Sequence, residues 1–284
     1  MRKCLYILII VFSLMGCQDV IEVDLDTEPP RLTVDALIRI DTSESITKAR
    51  IKVGLSSSFF EANQAVQVNQ MIIQNLDYVP SGPLDQNFII LNETQLGIYE
   101  GSRNTAFFTS GELNLTIDYN GEFFLAKTRF APSVPFNNII QGDATLFSGD
   151  ETELIVSFTD NVNRDDFYIF DFDFNEYLVS EDKFYQGQEF EFSYFYDNLK
   201  VGQTVTISIL GADESFYKYM DQLIVQSGNS QGPFQVPVAT VRGNLINVTG
   251  IDNTAVVDNV QSSNNFALGY FAVVQEFKQQ IMIE

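Results

Sequence analysis

Histidine and tryptophan are absent from this sequence of 284 residues, and cysteine occurs only twice, as Cys4 and Cys17. Without histidine, neither a serine–histidine nor a cysteine–histidine nucleophilic pair can form. Zinc or copper sites that use imidazole are excluded too, and two cysteines are too few for a thiolate site. The sequence also has no P-loop, dinucleotide-binding fingerprint or nucleophile elbow. Any catalysis would therefore depend on carboxylates, and no cofactor is predicted.

Basic residues are scarce as well. The chain has 16 lysines and arginines against 38 aspartates and glutamates, which gives a net charge of −22. A body with this charge is repelled by nucleic acid and by anionic lipid headgroups. The composition therefore predicts no nucleic-acid partner, and it predicts a domain that stands away from a membrane surface rather than lying on it.

Long apolar runs are also missing, and the run at the start of the chain covers only residues 5–15. A membrane-spanning helix needs about 20 apolar residues, so this run is too short to remain in a bilayer. Arg2 and Lys3 precede it and the small residue Gly16 follows it, which is the order of a secretory signal peptide. We therefore predict that residues 1–16 are a cleaved signal peptide and that Cys17 begins the mature chain.

The four residues around this cut, Leu14-Met15-Gly16-Cys17, resemble a bacterial lipobox, in which the cysteine receives fatty acids such as palmitate. Acylated Cys17 would anchor the protein, because each buried CH₂ contributes about 0.8 kcal/mol. The alternatives are a secreted protein that happens to begin with cysteine, and a core cysteine near the start. Since Cys4 leaves with the signal peptide, the mature chain can form no disulfide.

An acidic tether, residues 17–30, follows the cut directly. Its acids are Asp19, Glu22, Asp24, Asp26 and Glu28. Acids placed directly after a lipidated cysteine resemble the signal that sends lipoproteins of the Bacteroidetes to the cell surface, although Val20 and Ile21 interrupt them here. We therefore expect a lipid-anchored protein of the outer membrane, with the cell surface favoured over the periplasmic face.

From residue 31 onward, apolar residues alternate with polar ones. Residues 32–38, 49–55 and 113–119 show the pattern with mainly aliphatic residues, and residues 154–158, 168–174, 190–196 and 205–209 show it with more aromatic ones. A period of two with one polar face predicts half-buried antiparallel strands. Asn120-Gly121 suits a two-residue type I′ turn, because both positions need positive φ. We predict a hairpin with strands at 112–119 and 122–130.

Pro132 and Pro135 interrupt the alternation and predict a connection between two β units. The fold class is therefore mainly β, with an N-terminal β-sandwich at residues 31–131 and a C-terminal β-sandwich at 136–284. One amphipathic helix is predicted near 214–227 on the second unit, because apolar residues there fall at i, i+3, i+4, i+7 and i+8. Asp213 would cap this helix and Gly228 would end it.

Several segments, taken in order, resemble a Bacteroidetes lipoprotein family known as domain of unknown function 4249. They are LTVDALI, GELNLTIDYNGEFFLAKTRFAPSVPF, DDFYIF, ESFYKYMDQL, GPFQVPVATVRGNLINV and NNFALGYFAV. The most distinctive pieces are Gly243-Asn244 and the run Leu-Gly-Tyr-Phe at 268–271. The resemblance implies an outer-membrane lipoprotein, often encoded near TonB-dependent receptors, whose first unit is immunoglobulin-like or transthyretin-like. It implies no catalytic residues.

Three groups of residues are candidates for a site. Asp171 with Asp173, and Glu189 with Glu191, could in principle form the carboxylate pair of a glycoside hydrolase. The alternative is a solvated outer face of a strand, opposite an aromatic core.

The loop TDNVNRDD could bind Ca²⁺ through oxygen ligands from Asp160, Asn161, Asn163 and Asp165. The alternative is a strand connection rich in turn formers. For binding, the candidates are Phe59, Phe60 and Phe234, since apolar rings on loop tips mark interaction sites.

The leading hypothesis is a non-enzymatic accessory or interaction partner of an outer-membrane complex, such as a TonB-dependent uptake system. A second hypothesis is a surface module that binds glycan or peptide on its own. A glycoside hydrolase that uses only acids is the third.

Overall fold

The computed structural model describes residues 29–57, 63–146, 149–227, 239–251 and 266–284. The first strands are β1 (Leu32–Ile40), β2 (Ile46–Leu55), β3 (Gln64–Ala65), β4 (Gln70–Asn75), β5 (Phe88–Ile90), β6 (Asn92–Gln95), β7 (Ile98–Asn104), β8 (Glu112–Tyr119) and β9 (Glu122–Ala131). A short helix, α1 (Thr105–Thr109), precedes β8.

The second series comprises β10 (Phe136–Gln141), β11 (Thr152–Thr159), β12 (Phe167–Asp171), β13 (Tyr177–Glu181), β14 (Glu189–Tyr196), β15 (Thr204–Ala212), α2 (Glu214–Gln226), β16 (Ile246–Asn247) and β17 (Leu268–Met282). The fold is therefore mainly β, as predicted. None of the helices in the described ranges has the length and apolar character needed to cross a bilayer.

The β8–β9 hairpin confirms the clearest local prediction. Its strands are joined by Asn120 (φ 52°) and Gly121 (φ 80°), both in the left-handed region that the turn needs. On β8, Leu113, Leu115 and Ile117 are fully buried. The alternation of apolar and polar residues therefore predicted both the position of β8 and the face that it buries.

The first sandwich has the strand order β5-β4-β8-β9-β17-β1-β2-β7-β6. The inward residues of β1, from Leu32 to Ile40, are at most 4% exposed. They share one core with the inward residues of β2, β4 and β8. Two packed layers with a common apolar interior make this unit sandwich-like.

The second sandwich packs the sheet β10-β11-β14 against β13-β12-β15-β17. Its core is aromatic, with Phe158, Tyr168, Phe170 and Phe172 fully buried. The alternation predicted a strand through Phe174, but β12 ends at Asp171. Phe174 lies in the following turn with φ 50° and is half exposed.

Strand β17 belongs to both sandwiches. Its first half runs parallel to β1, with Thr33 opposite Leu268, and its second half runs antiparallel to β15, with Thr204 opposite Met282. In addition, Leu245 and Phe271 are buried in the core of the first sandwich. The sequence assigned all of 136–284 to the second unit, whereas part of this range packs into the first.

Asn244 links β17 to β9 outside the short stretch in which these two strands pair directly. Its side-chain amide donates to the carbonyl oxygens of Lys127 (3.0 Å) and Phe271 (2.8 Å), and its oxygen accepts from the N–H of Phe271 (2.9 Å). The backbone also passes very close here, because a Cβ on Gly243 would overlap the carbonyl oxygen of Gly269. These contacts give the two distinctive sequence motifs a structural role.

Helix α2 confirms the predicted helix to within one residue. The Asp213 carboxylate caps it by accepting from the N–H of Phe216 (2.7 Å), while Gly228 lies outside the described residues. Phe216 and Met220 are buried in a cluster that also contains Tyr270 of β17 and Leu37 of β1. The helix therefore packs across both sandwiches rather than on the second alone.

Candidate functional site

A cleft of about 430 Å³ opens beside α2, where the helix leaves the outer face of the first sandwich uncovered. We call it the α2 cleft. Its main side chains are Asp35, Leu37, Lys52, Tyr177, Phe216, Tyr219, Met220, Leu223 and Tyr270. They come from β1, β2, β13, α2 and β17, so elements of both sandwiches build the cleft.

The apolar stripe of α2 is longer than the surface that it covers. Phe216 and Met220 are buried against the sheets, whereas Leu223, one turn further along, is 40% exposed. Leu223 instead lines the α2 cleft. The amphipathic pattern that folds the helix therefore also leaves an apolar wall facing solvent.

Aromatic contacts hold this wall in place. The ring of Tyr270 lies 5.0 Å from that of Phe216 and 4.9 Å from that of Tyr219, measured between centroids. Burial, and to a smaller extent the charge of Asp35, raises the pKa of the Tyr219 phenol. Burial, followed by the charge of Asp171, also raises the pKa of Tyr177. Both phenols therefore stay protonated at neutral pH and can donate hydrogen bonds.

A polar groove of about 360 Å³ adjoins the cleft and shares Asp35, Leu37, Lys52 and Tyr177 with it. We call it the β2 groove. Its basic side chains are Arg39, Lys48, Arg50 and Lys52. The three from β2 are exposed because they alternate with the buried residues of that strand.

Most charges of the β2 groove are already paired. Lys48 and Arg50 both contact Glu100, at 2.7 and 3.3 Å. In contrast, the side chains of Lys52 and Asp35, which lie opposite each other in register, make no hydrogen bond or ion pair within the described ranges. They are the charges of this surface that remain available to a ligand.

Arg39 links the two sandwiches at the end of the β2 groove. Its guanidinium contacts Asp171 of β12 (2.7 Å) and Glu276 of β17 (3.2 Å). Burial lowers its pKa, but the hydrogen bond and charge of Asp171, with the charge of Glu276, more than offset this and raise the pKa overall. Arg39 therefore stays charged and fixes one wall of the site.

The predicted binding aromatics lie outside the described residues, since Phe59 and Phe60 fall in 58–62 and Phe234 falls in 228–238. Their role stays a prediction. Among the described residues next to the first of these ranges, Asn63 and Gln64 line the α2 cleft.

The predicted acid pairs are placed as follows. Asp171 is bound to Arg39, and its oxygen also accepts from the N–H of Asp173 (3.0 Å), which lies in a turn with φ 66°. Glu189 and Glu191 are exposed on the outer face of β14. This placement fits the alternative interpretation, a solvated strand face.

The loop proposed for calcium is held by hydrogen bonds within the protein. Asp160 is buried and accepts from the Tyr168 hydroxyl (2.5 Å) and the N–H of Gly187 (2.7 Å). Asn161 accepts from the N–H of Asn163, and Asp165 accepts from the side chain of Gln186. These bonds fit a structured strand connection, and the calcium site stays a prediction.

A buried acidic cluster supports this loop, and one of its members, Asp182, lies outside the loop and was not predicted to join it. Asp166 contacts Arg164 and accepts from Tyr168 (3.0 Å), while its N–H donates to Asp182 (2.6 Å). Asp160, Asp166 and Asp182 are each less than 9% exposed. Within the described ranges, no group of three or more acidic, histidine or cysteine side chains is arranged to hold a metal ion.

Asp182 makes the stability of this cluster depend on pH. Burial raises the pKa of its carboxyl, and the charges of Asp160, Asp166 and Asp165 raise it further, against the lowering effect of the Asp166 N–H. The folded chain therefore keeps this proton to a higher pH than the unfolded chain. Ionised Asp182 reduces stability above its folded pKa, and this penalty vanishes below its unfolded pKa.

Asp182→Asn removes the charge but keeps an oxygen that can accept from Asp166. We expect this variant to be more stable than the wild type at about pH 7, with the difference shrinking to zero at about pH 3. Urea denaturation at both pH values measures it, with the exposed Asp221→Asn as the control. A stabilisation that grew in acid would contradict this assignment.

A comparison of the chain with protein-family models finds no match, and a search of the curated proteins finds none either. The functional argument therefore depends on the sequence and on the geometry of the α2 cleft and the β2 groove. The sequence indicates this surface only weakly. Its one sign is that three basic residues, Lys48, Arg50 and Lys52, occupy every second position of β2 in a chain that has few bases.

Proposed function

We propose that the protein is a lipid-anchored, non-enzymatic module of the outer membrane, exposed on the cell surface. It acts as an accessory of an outer-membrane complex such as a TonB-dependent uptake system. The observation that carries this proposal is the α2 cleft, a mainly apolar concave surface formed where the two sandwiches meet. The anchor is the proposed acylation of Cys17.

The α2 cleft suits the contact that an accessory protein needs. Protein interfaces gain most of their affinity from a few apolar or aromatic side chains that fill pockets, surrounded by a polar rim. Here Tyr177, Tyr219 and Leu223 supply aromatic and apolar surface to the cleft, and Asp35 and Lys52 supply charged groups to it. The net charge of −22 keeps the body away from anionic headgroups and leaves the cleft open to a neighbouring protein.

The same surface supports a second candidate, a module that binds glycan or peptide without a partner protein. Tyrosine rings with free hydroxyls can pack against the apolar face of a sugar and also donate hydrogen bonds to it. Tyr219 has both properties, whereas the Tyr177 hydroxyl already has the Arg39 guanidinium as a hydrogen-bond partner. The third candidate, a hydrolase that uses only acids, has less support, because Asp171 is bound to Arg39.

Substitution of the two cysteines tests the anchor. In cells grown with labelled palmitate, we expect wild-type protein and the Cys4→Ala variant to incorporate label and to fractionate with the outer membrane. Cys17→Ala should incorporate none and leave that fraction, because the acyl chains supply the membrane affinity. Protease treatment of intact cells should degrade the anchored protein if it lies on the cell surface.

Affinity purification after gentle extraction tests the partner. We expect the wild-type protein to co-purify with an outer-membrane β-barrel protein, and Leu223→Lys to lose this partner because a charge then occupies the apolar wall. Recovery of the wild type as a lone monomer in several detergents would count against the accessory role. If that monomer bound a glycan or peptide, the second candidate would replace the first.

A further inference from the structure

We infer that the α2 cleft and the β2 groove together bind a single-chain amphiphile with one anionic end, such as a medium-chain fatty carboxylate. The hydrocarbon chain would occupy the α2 cleft and the carboxylate would meet Lys52. This ligand would occupy the same α2 cleft as the proposed partner and compete with it, but its binding is measured on the protein alone.

The apolar half of the site is built for a hydrocarbon chain. Phe216, Tyr219 and Met220 form one wall, and Leu37 of β1 lies at its base. Tyr270 braces the rings of this wall at centroid distances near 5 Å, so the surface exists before a ligand arrives. Burial of apolar carbon against a preformed wall avoids most of the ordering cost of binding.

The size of the α2 cleft selects one chain rather than two. The volume of the α2 cleft is about 430 Å³. Since an apolar cavity of about 150 Å³ holds benzene, this cleft has room for a chain of roughly 10–16 carbons. A diacyl phospholipid has about twice as many carbons and would leave one chain exposed.

The charged half of the site favours an anion. Lys48, Arg50 and Lys52 follow one another on the outer face of β2, and the acids beside them are Glu100 and Asp35. With Arg39 and its partners Asp171 and Glu276 included, four bases balance four acids here, on a protein whose total charge is −22.

Lys52 is the base at which the anion would bind. It has no partner in the described part of the chain, and it lines both the cleft and the groove. An anionic group at the end of a chain in the cleft would therefore reach an uncommitted ammonium.

Photoaffinity labelling of the full chain in nanodiscs tests this inference. The probe is a 12-carbon carboxylic acid with a diazirine at its far end, and mass spectrometry locates the labelled residues. We expect label on the wall formed by α2 and on Tyr177, and competition by unlabelled dodecanoate. A 12-carbon alcohol with the same diazirine should label at least tenfold less.

Matched variants separate the two halves of the site. Lys52→Gln should weaken competition by dodecanoate about tenfold, since a charge-assisted bond is lost. Asp35→Asn should strengthen it about threefold, because a like charge is removed from the site. Leu223→Ser should also reduce labelling about tenfold.

Two variants serve as controls. Lys200→Gln changes a lysine near the far end of β17, where the N–H of the nearby Gly202 donates to the carbonyl oxygen of Ile283. Leu84→Ser changes a leucine that is 96% exposed. Neither should alter labelling. Label spread over the surface, or equal labelling of the wild type, Lys52→Gln and Leu223→Ser, would overturn the inference. Loss of the partner protein alone would leave this result unchanged.

Discussion

Replacement of Asn244 by alanine is expected to lower the free energy of unfolding by about 2–4 kcal/mol. Its side-chain amide makes three hydrogen bonds, to both backbone groups of Phe271 and to the carbonyl of Lys127. Alanine leaves these backbone groups without a partner between two strands, and a partly buried unpaired group costs more than the bond contributed. Urea denaturation followed by tyrosine fluorescence or circular dichroism measures the loss.

Two further variants make this result specific. Asn92→Ala replaces an exposed asparagine on β6 and should change the stability by less than about 0.5 kcal/mol. Asn244→Asp retains an acceptor for the N–H of Phe271 but places a carboxylate against two carbonyl oxygens, so it should destabilise at least as much as alanine. A loss at Asn244→Ala no larger than that at Asn92→Ala would show that the link between β9 and β17 contributes little.

Replacement of Gly269 by alanine should have the larger effect, a loss of at least about 3 kcal/mol or failure to fold. Gly269 has φ 102°, which residues with a Cβ rarely adopt. A Cβ would also overlap the carbonyl oxygen of Val34 on the neighbouring strand. The substitution therefore strains the backbone and separates β1 from β17 at the same position.

Control glycines separate these two causes. Gly202 has φ 84° with no atom near its missing Cβ, so Gly202→Ala should show the backbone strain alone, about 1 kcal/mol. A Cβ on Gly243 would overlap the backbone of Gly269, so Gly243→Ala should show the overlap without a positive φ. The expected order, from the most stable variant to the least stable, is Gly202→Ala, Gly243→Ala and Gly269→Ala. Equal losses at Gly202 and Gly269 would refute the role of close approach.

The sequence predicts the features of this fold that depend on neighbouring residues. The β8–β9 hairpin follows from alternation and from the turn chemistry of Asn120-Gly121, and the start of α2 follows from Asp213 and a 3.6-residue period. Alternation fails after Asp171, because a turn with positive φ replaces the strand there. A periodic pattern cannot reveal where such a turn interrupts it.

Features that depend on distant residues were not predictable in this way. Nothing near Thr33 indicates that Leu268 pairs with it, because the register depends on the packing of both cores. The α2 cleft has the same origin, since Tyr177 lies beside the helix through the pairing of β13 with β12, of β12 with β15 and of β15 with β17. Lys52 and Asp35 resemble any exposed strand residues until the structure shows that their neighbours are paired and they are not.

The double membership of β17 also constrains how the two sandwiches can be completed during folding. Residues 268–282 lie near the end of the chain, and until they pair, β1 and β15 each keep an open edge. Unpaired strand edges invite contact with other chains. The pairing of one strand therefore closes an edge in both halves, and a chain in which β17 is unpaired exposes two edges to aggregation at once.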